Sequence, residues 1–287
     1  MLIEVGLACS EGLVVMAGSQ ELNAVLTRRT EISPGSLVIR VVPERWQVPP
    51  FKPGQFAVLG LPPEAPRCEA ADAEDPPPKS GVLIRRAYSI ASSSVEREYL
   101  EFYVTLVYSG SFTPRLFALT EGDRLWLGPT ISGLFTFDEV PPRANIVMIA
   151  TGTGLAPYMS QLRTHLTAEE ARRYAVIHGA RHSWDLGYRG ELYALERVCP
   201  TLTYLPVISR LHHAPEPWGG AMGYVQDVWQ DGHVGQAWGF GPSPSNTHVF
   251  LCGNPDMIDA MVEILRPQGF REHAGQQPGE IHSEKYW

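Results

Sequence analysis

At Pro141-Pro142 the spacing of apolar residues changes period, and that change divides the chain into two kinds of structure. Before it, β-branched and aromatic runs recur between Gly and Pro turns: LNAVLTRRTEI (22–32), SLVIRVV (36–42), QFAVLGL (55–61), RRAYSIAS (85–92), LEFYVTLVY (100–108) and DRLWLGP (123–129). Six short strands on this spacing predict an antiparallel β-barrel or a sandwich. After it, strands alternate with helical stretches. ANIVMIA (144–150), YAVIHGA (174–180), LTYLPVIS (202–209) and HVFLCG (248–253) read as strands; LAPYMSQLRTHL (155–166), ELYALERV (191–198) and PDMIDAMVEILRPQ (255–268) read as helices. The unbroken apolar character of 144–150 suits a strand covered on both faces. The expectation is two domains, an antiparallel β-barrel over 1–140 and an α/β doubly wound parallel sheet over 141–287.

One stretch of the first part fits neither pattern. Residues 62–80, PPEAPRCEAADAEDPPPKS, lack apolar periodicity and carry Glu64, Glu69, Asp72, Glu74 and Asp75. Such a segment buries too little surface to offset its ordering entropy, so a mobile surface insertion is expected. The formal charge of -8 disfavours nucleic acid and anionic membranes as partners. No apolar run approaches the ~18 residues of a spanning helix, and the first residues carry Glu4 and Glu11 where a signal peptide has basic residues, so a cytoplasmic address is expected. Cys9, Cys68, Cys199 and Cys252 form no C-x-x-C pair and are read as free thiols rather than metal ligands.

Two motifs carry chemistry. Thr151-Gly152-Thr153-Gly154-Leu155-Ala156-Pro157 follows a buried strand and opens a helix, a geometry in which Gly lets the backbone approach a pyrophosphate at a helix N-terminus. It departs from the dinucleotide fingerprint: Pro157 takes the place of the third Gly, and the next strand ends in His178-Gly179-Ala180-Arg181 without a ribose-binding acid. Arg there suits a phosphate. The second motif, Arg86-Ala87-Tyr88-Ser89, lies on a predicted strand, where alternation sets Arg86 and Tyr88 on one face. A guanidinium for a diphosphate and an aromatic plane for a flavin then stand together, with a Ser hydroxyl beside them.

In order along the chain, R-A-Y-S, LEFYV, S-F-T-P-R-L, a GD before a strand, G-x-F, ATGTGLAP, an SR after the third strand and CGNPDM together resemble the ferredoxin-NADP reductase family; the terminal EKYW resembles its bacterial members with an aromatic end. The resemblance spans about residues 22–287. It implies a barrel that binds FAD and an α/β domain that binds NADP, with electrons passed to ferredoxin or flavodoxin. It implies FAD contacts at Arg86, Ala87, Tyr88, Ser89, Tyr103, Ser111, Phe112, Thr113, Thr153, Tyr286 and Trp287. It implies NADP contacts at Ala180, Arg181, Ser209, Arg210, Tyr224, Cys252, Gly253, Asn254, Pro255 and Asp256, with Ser89 and Cys252 orienting the nicotinamide. From the residues alone, Arg210 is open between a phosphate ligand and a solvated loop charge.

Two departures bear on these expectations. Where related bacterial enzymes carry Arg in a G-R motif, this chain has Gly223-Tyr224, which brings no charge and leaves NAD use open. The 62–80 insertion is also outside the family pattern. Acidic acceptors call for basic residues near the flavin edge, for which Arg28, Arg29, Arg85, Arg97 and Arg115 are available. Rival expectations are an NAD(P)H-dependent flavin reductase supplying an oxygenase and a non-catalytic flavin- and nucleotide-binding subunit. A monomer is expected. His212-His213 is read as an ordinary loop pair, Trp46, Trp126, Trp218, Trp229 and Trp238 as packing residues, and Asp227 as a helix cap.

Overall fold

The computed structural model describes residues 21–169, 171–211, 217–275 and 277–285. Among the described residues the first part holds six strands, β1 (Ala24–Ser33), β2 (Ser36–Pro43), β3 (Phe56–Leu61), β4 (Ile84–Ser89), β5 (Leu100–Thr105) and β6 (Arg124–Leu127). They lie in the order β4-β3-β6-β1-β2-β5, every pair antiparallel. The two ends of that row meet at an Ile90–Phe102 bridge and at the Ala91 N–H donating to the Glu101 carbonyl over 2.8 Å. The row thus closes into a barrel at one point. Alternate residues such as Leu26, Ile39, Leu59, Phe102 and Leu127 fill its interior. The S-F-T-P-R-L segment starts a short helix, α1 (Thr113–Ala118), because Pro114 at its first turn presets the helical backbone.

The second part is a parallel sheet of β7 (Asn145–Thr151), β8 (Tyr174–Ala180), β9 (Leu202–Ile208), β10 (Ala221–Met222), β11 (Thr247–Gly253) and β12 (Ile281–Lys285), in the order β10-β9-β8-β7-β11-β12. Its helices are α2 (Ala156–His165), α3 (Arg189–Val198), α4 (Val225–Gln230), α5 (His233–Trp238) and α6 (Pro255–Leu265). Central β7, β8 and β11 are buried along almost their whole length, as unbroken apolar strands require. The chain steps outward from β7 to β10 and returns to β11 on the far side of β7, so winding reverses between β7 and β11. Ligands of doubly wound sheets bind at the C-terminal ends of the strands flanking such a reversal. The sequence reading did not contain α5, β10 or β12 and marked α4 only by a cap at Asp227, and α3 starts two residues before its expected position.

A polar seam joins the two sheets. Glu101, 3% exposed, accepts from Arg40, Arg163 and the Tyr188 hydroxyl at 2.8, 2.7 and 2.9 Å. Burial pushes its carboxyl up, but the guanidinium of Arg163 and the hydrogen bonds more than offset this and hold it below the usual range. Arg163, on α2, also donates to the Ala91 carbonyl and chelates Glu191. The Tyr103 hydroxyl donates to the Asp185 carbonyl (3.0 Å) and accepts from the Gly187 N–H (3.2 Å). A Cβ on Gly187 would fall 2.5 Å from the Tyr103 ring, so only glycine fits there.

The 62–80 segment corrects the expectation of a mobile insertion. It follows a defined path over the 107–115 stretch: the Cys68 N–H donates to the Pro114 carbonyl (2.9 Å) and the Asp72 N–H to the Tyr108 carbonyl (3.0 Å). Glu74 pairs with Arg115 at 2.9 Å and with Arg67 at 3.1 Å. Two guanidiniums and their backbone bonds supply the ordering that apolar burial lacks. Arg115 is consequently buried and unavailable to a docking partner, contrary to the sequence reading, whereas Arg28 and Arg85 are exposed. Arg97 spends two donors on the Val48 carbonyl.

The other expectations fall as follows. Trp229 and Trp238 are buried, Trp46 and Trp218 donate to backbone carbonyls, and Trp126 lies under the Arg85 guanidinium. Asp227 accepts from the Tyr224 N–H over 2.7 Å at the start of α4. Cys68 and Cys199 are free thiols, and the Cys252 thiol donates to Glu284 at 4.0 Å. Cys9, His212 and His213 lie outside the described residues. Among the described residues no helix is long and apolar enough to cross a membrane, and no group of three or more His, Cys, Asp or Glu could hold a metal ion.

A candidate cofactor cleft at the seam

Beyond the Ile90–Phe102 bridge, β4 and β5 part. β4 has β3 as its ladder partner and β5 has β2, so along Arg86–Ser89 and Tyr103–Thr105 the two strands present backbone edges to each other without pairing. The gap opens into a cavity of about 510 Å³. Its walls are Arg86, Ala87, Tyr88 and Ser89 of β4, Tyr103, Val104 and Thr105 of β5, Gly110–Thr113, Thr153 and Ala156 from the second part, and Glu284 and Lys285 of β12. Nine positions singled out in the sequence (Arg86, Ala87, Tyr88, Ser89, Tyr103, Ser111, Phe112, Thr113 and Thr153) therefore line one cavity. Tyr286 and Trp287 lie outside the described residues.

These residues do different work. Arg86 is exposed, and its guanidinium bonds the neighbouring Arg85 carbonyl without an acidic partner among the described residues, which leaves most of its donor fork open. Tyr88 packs against Phe112 at 5.8 Å between ring centroids, and burial raises its hydroxyl pKa. The Thr113 hydroxyl accepts from the Val107 N–H and donates to the Val107 carbonyl, and the Tyr103 hydroxyl is committed across the seam; both side chains shape the wall through fixed bonds. Burial pushes the Tyr103 hydroxyl up to about 12. Thr153 meets Thr105 at 3.4 Å between hydroxyl oxygens, tying the Gly-rich turn to the barrel strand.

The group that sequence reasoning missed is Glu284. β12 pairs in parallel with β11 so that Glu284 stands opposite Cys252. Its carboxylate accepts from the Ser89 hydroxyl at 3.1 Å and from the Cys252 thiol at 4.0 Å. Burial raises its pKa to about 7, with the Ser89 bond opposing the shift. Cys252 itself is fully buried behind Glu284 and does not line the cavity, although it was placed with Ser89 at the reacting face. In the sequence EKYW is only a terminal signature; the β11–β12 register is what brings its Glu to Ser89.

The remaining predicted residues gather along the C-terminal edge of the parallel sheet. Ala180 ends β8, and the Ser209 and Arg210 N–H groups donate to the Ala180 and Arg181 carbonyls at 3.0 and 2.8 Å, so Arg181 and Arg210 sit side by side, both exposed. Among the described residues neither guanidinium pairs with a carboxylate. Tyr224 is 65% exposed at the start of α4. Gly253 ends β11 with φ +129, and a Cβ on it would strike Thr151. The Asn254 side chain caps α6 by accepting from the Asp256 and Met257 N–H groups, Pro255 and Asp256 form its first turn, and the Asn254 N–H donates to the Thr151 hydroxyl. This corner is held by its own hydrogen bonds.

The cavity residues fit a planar, polar ring system carrying a diphosphate. Unpaired strand edges can meet the heteroatoms of the ring, Tyr88 supplies an aromatic wall, and the open guanidinium of Arg86 suits the phosphates. The parallel sheet defines the class of protein: residues 148–263 match the model of the oxidoreductase NAD-binding domain. The flavodoxin/ferredoxin–NADP reductase of Shigella flexneri is 32% identical over 83% of this chain and 88% of its own length, and that of Escherichia coli is 31% identical over 83% and 88%. The chain belongs to the flavodoxin/ferredoxin–NADP reductase family. A ferredoxin NADP+ reductase from Neisseria gonorrhoeae, solved with bound FAD and NADP, shares the fold with a TM-score of 0.76 at 23% identity, over 92% of this chain and 97% of that one.

Proposed function

We propose that the protein is an FAD-dependent reductase that exchanges electrons between NADPH and ferredoxin or flavodoxin. The observation that carries the proposal is the single cavity at the seam, where the R-A-Y-S strand, the S-F-T segment and the Gly-rich turn converge although up to 67 residues separate Arg86 from Thr153. Bound FAD would supply the chemistry that turns the hydride equivalent of NADPH into single electrons for ferredoxin or flavodoxin. The chain binds, orients and shields. Arg86 holds the diphosphate with a fork matched to its oxygens, and Tyr88 and the edges of β4 and β5 hold the ring. Arg181 and Arg210 take the adenosine phosphate, and Tyr224 takes the adenine by stacking. Ser89 and Glu284 form a hydrogen-bonded pair at the inner wall: burial raises the Glu284 pKa to about 7, so near neutral pH it can take up or give a proton through the Ser89 hydroxyl. Cys252 keeps that carboxylate in place from behind.

The same proposal sets the FAD-binding domain at 1–140 and the NADP-binding domain at 141–287, and takes the protein to be a cytoplasmic monomer. Anaerobic stopped-flow reduction with NADPH and NADH side by side, followed by oxidation with ferredoxin, flavodoxin or a soluble dye, tests it. Flavin bleaching by NADPH well ahead of NADH, and rapid reoxidation by either protein acceptor, is the expected result. A purified protein that takes up no FAD on reconstitution would refute it, and equal efficiency of the two nucleotides would remove the NADP assignment.

A further inference from the structure

Gly110 and Ser111, both in the cavity wall, give their carbonyls to two guanidiniums, that of Arg67 in the 62–80 segment and that of Arg115 on α1. Arg67 Nη1 donates to the Gly110 carbonyl at 3.0 Å and Arg115 Nη1 to the Ser111 carbonyl at 2.7 Å. Glu74 bridges the two guanidiniums, chelating Arg115 at 3.0 and 2.9 Å and meeting Arg67 at 3.1 Å. Arg115 is anchored further by the Pro63 carbonyl and Arg67 by the Asp72 carbonyl. In a trans peptide the N–H points opposite to the C=O, so turning these two carbonyls to the clasp turns the N–H groups of Ser111 and Phe112 the other way. Neither N–H has a protein acceptor among the described residues, and both residues line the cavity.

We propose that the 62–80 segment is a clasp that fixes the Gly110–Thr113 wall of the cofactor cavity, with Glu74 the positioning residue that sets how tightly FAD is held. The inference rests on the FAD reading above and deepens it. Glu74 touches no cavity surface; it acts through Arg67 and Arg115, which hold the wall with its donors already aimed. A wall ordered in advance spares the cofactor the cost of ordering it on binding. Without Glu74 the two guanidiniums lose the charge that keeps them adjacent.

The test is FAD titration of apoprotein, followed by quenching of flavin fluorescence, for the wild type, Glu74→Ala and Glu74→Gln, with the thermal midpoint of each apoprotein measured alongside. Glu74→Ala is expected to weaken FAD by roughly ten-fold, and Glu74→Gln, which keeps one acceptor oxygen, by roughly three-fold. A role confined to stability would lower the midpoint and leave the FAD dissociation constant alone. Linkage supplies a measurement that needs no variant: if the clasp favours FAD, FAD must favour the clasp by the same factor, and hydrogen exchange at the Cys68 and Asp72 amides of the wild type slows on FAD binding. Should Glu74→Ala fail to fold, that exchange measurement decides. Wild type that binds FAD, with unchanged exchange and unaltered affinity in folded variants, overturns the clasp alone; wild type that takes up no FAD overturns the clasp and the cofactor reading together.

Discussion

The side chains that back the barrel wall of the cleft and those at the outer edge of the parallel sheet are held in opposite ways. Behind the barrel wall Arg115 is sunk into a cage of carboxylate and carbonyls, as Arg163 of α2 is at the seam, and the side chains that shape the wall, Tyr103 and Thr113, have their hydroxyls already bonded; Arg86 alone of these arginines is exposed, at the mouth of the cavity. On the sheet edge Arg181, Arg210 and Tyr224 stand in solvent. A caged wall suits a group that stays, because its ordering is complete before the ligand arrives. Exposed charges suit a group that comes and goes: screening weakens their grip, and release leaves no buried ion behind.

The difference can be broken most severely at Glu101. Glu101→Ala leaves Arg163 and Arg40 without their shared carboxylate at a buried seam, and urea denaturation is expected to show a loss of about 3–5 kcal/mol. Loss below 1 kcal/mol would put the seam in the same energetic class as the exposed edge. Glu284 comes next. Its folded pKa of about 7 lies above the ordinary carboxylate value, so its stabilising contribution is full below pH ~4.5 and fades as pH rises through 7. The difference is on the order of 3 kcal/mol, and Glu284→Gln should flatten the stability-against-pH curve over that window and slow NADPH-driven flavin reduction by ~10²-fold. An unchanged curve would mean that the carboxyl is not desolvated.

At the exposed edge the effects shrink. Arg181→Ala or Arg210→Ala should raise the KM for NADPH by roughly ten-fold each, leave NADH unaffected, and lose most of the effect at high salt. Tyr224→Arg should sharpen the preference for NADPH by a few-fold in the same assay. The smallest change is expected at Arg28→Glu: acceptor reduction slowed about two- to five-fold at low ionic strength and restored at high, read from initial rates across a salt series.

The barrel and sheet were legible wherever periodicity is local. Continuous apolar runs marked β7, β8 and β11, and alternating ones marked the barrel strands; the R-A-Y-S and TGTG motifs marked most of the cavity. What stayed hidden depends on partners far along the chain. Glu74 reads as one more acid in a Pro-rich stretch until Arg115, 41 residues on, closes over it. Glu284 sits in a polar string, and its strand exists because β11 offers an open edge. Cys252 lies fully buried opposite Glu284, and sequence alone does not tell which neighbour stands in front.

The Tyr103 hydroxyl, held between the Asp185 carbonyl and the Gly187 amide, has a kinetic meaning beyond packing. It pins the mid-barrel to the rim of the sheet at the point where any hinge between the lobes would have to open. A wide swing of one lobe against the other would break both bonds and the Glu101 cluster beside them, which favours entry of nucleotide without such a swing. Turnover in such a frame should run at the same pace in viscous glycerol solutions as in dilute buffer, once diffusion of the partners is allowed for.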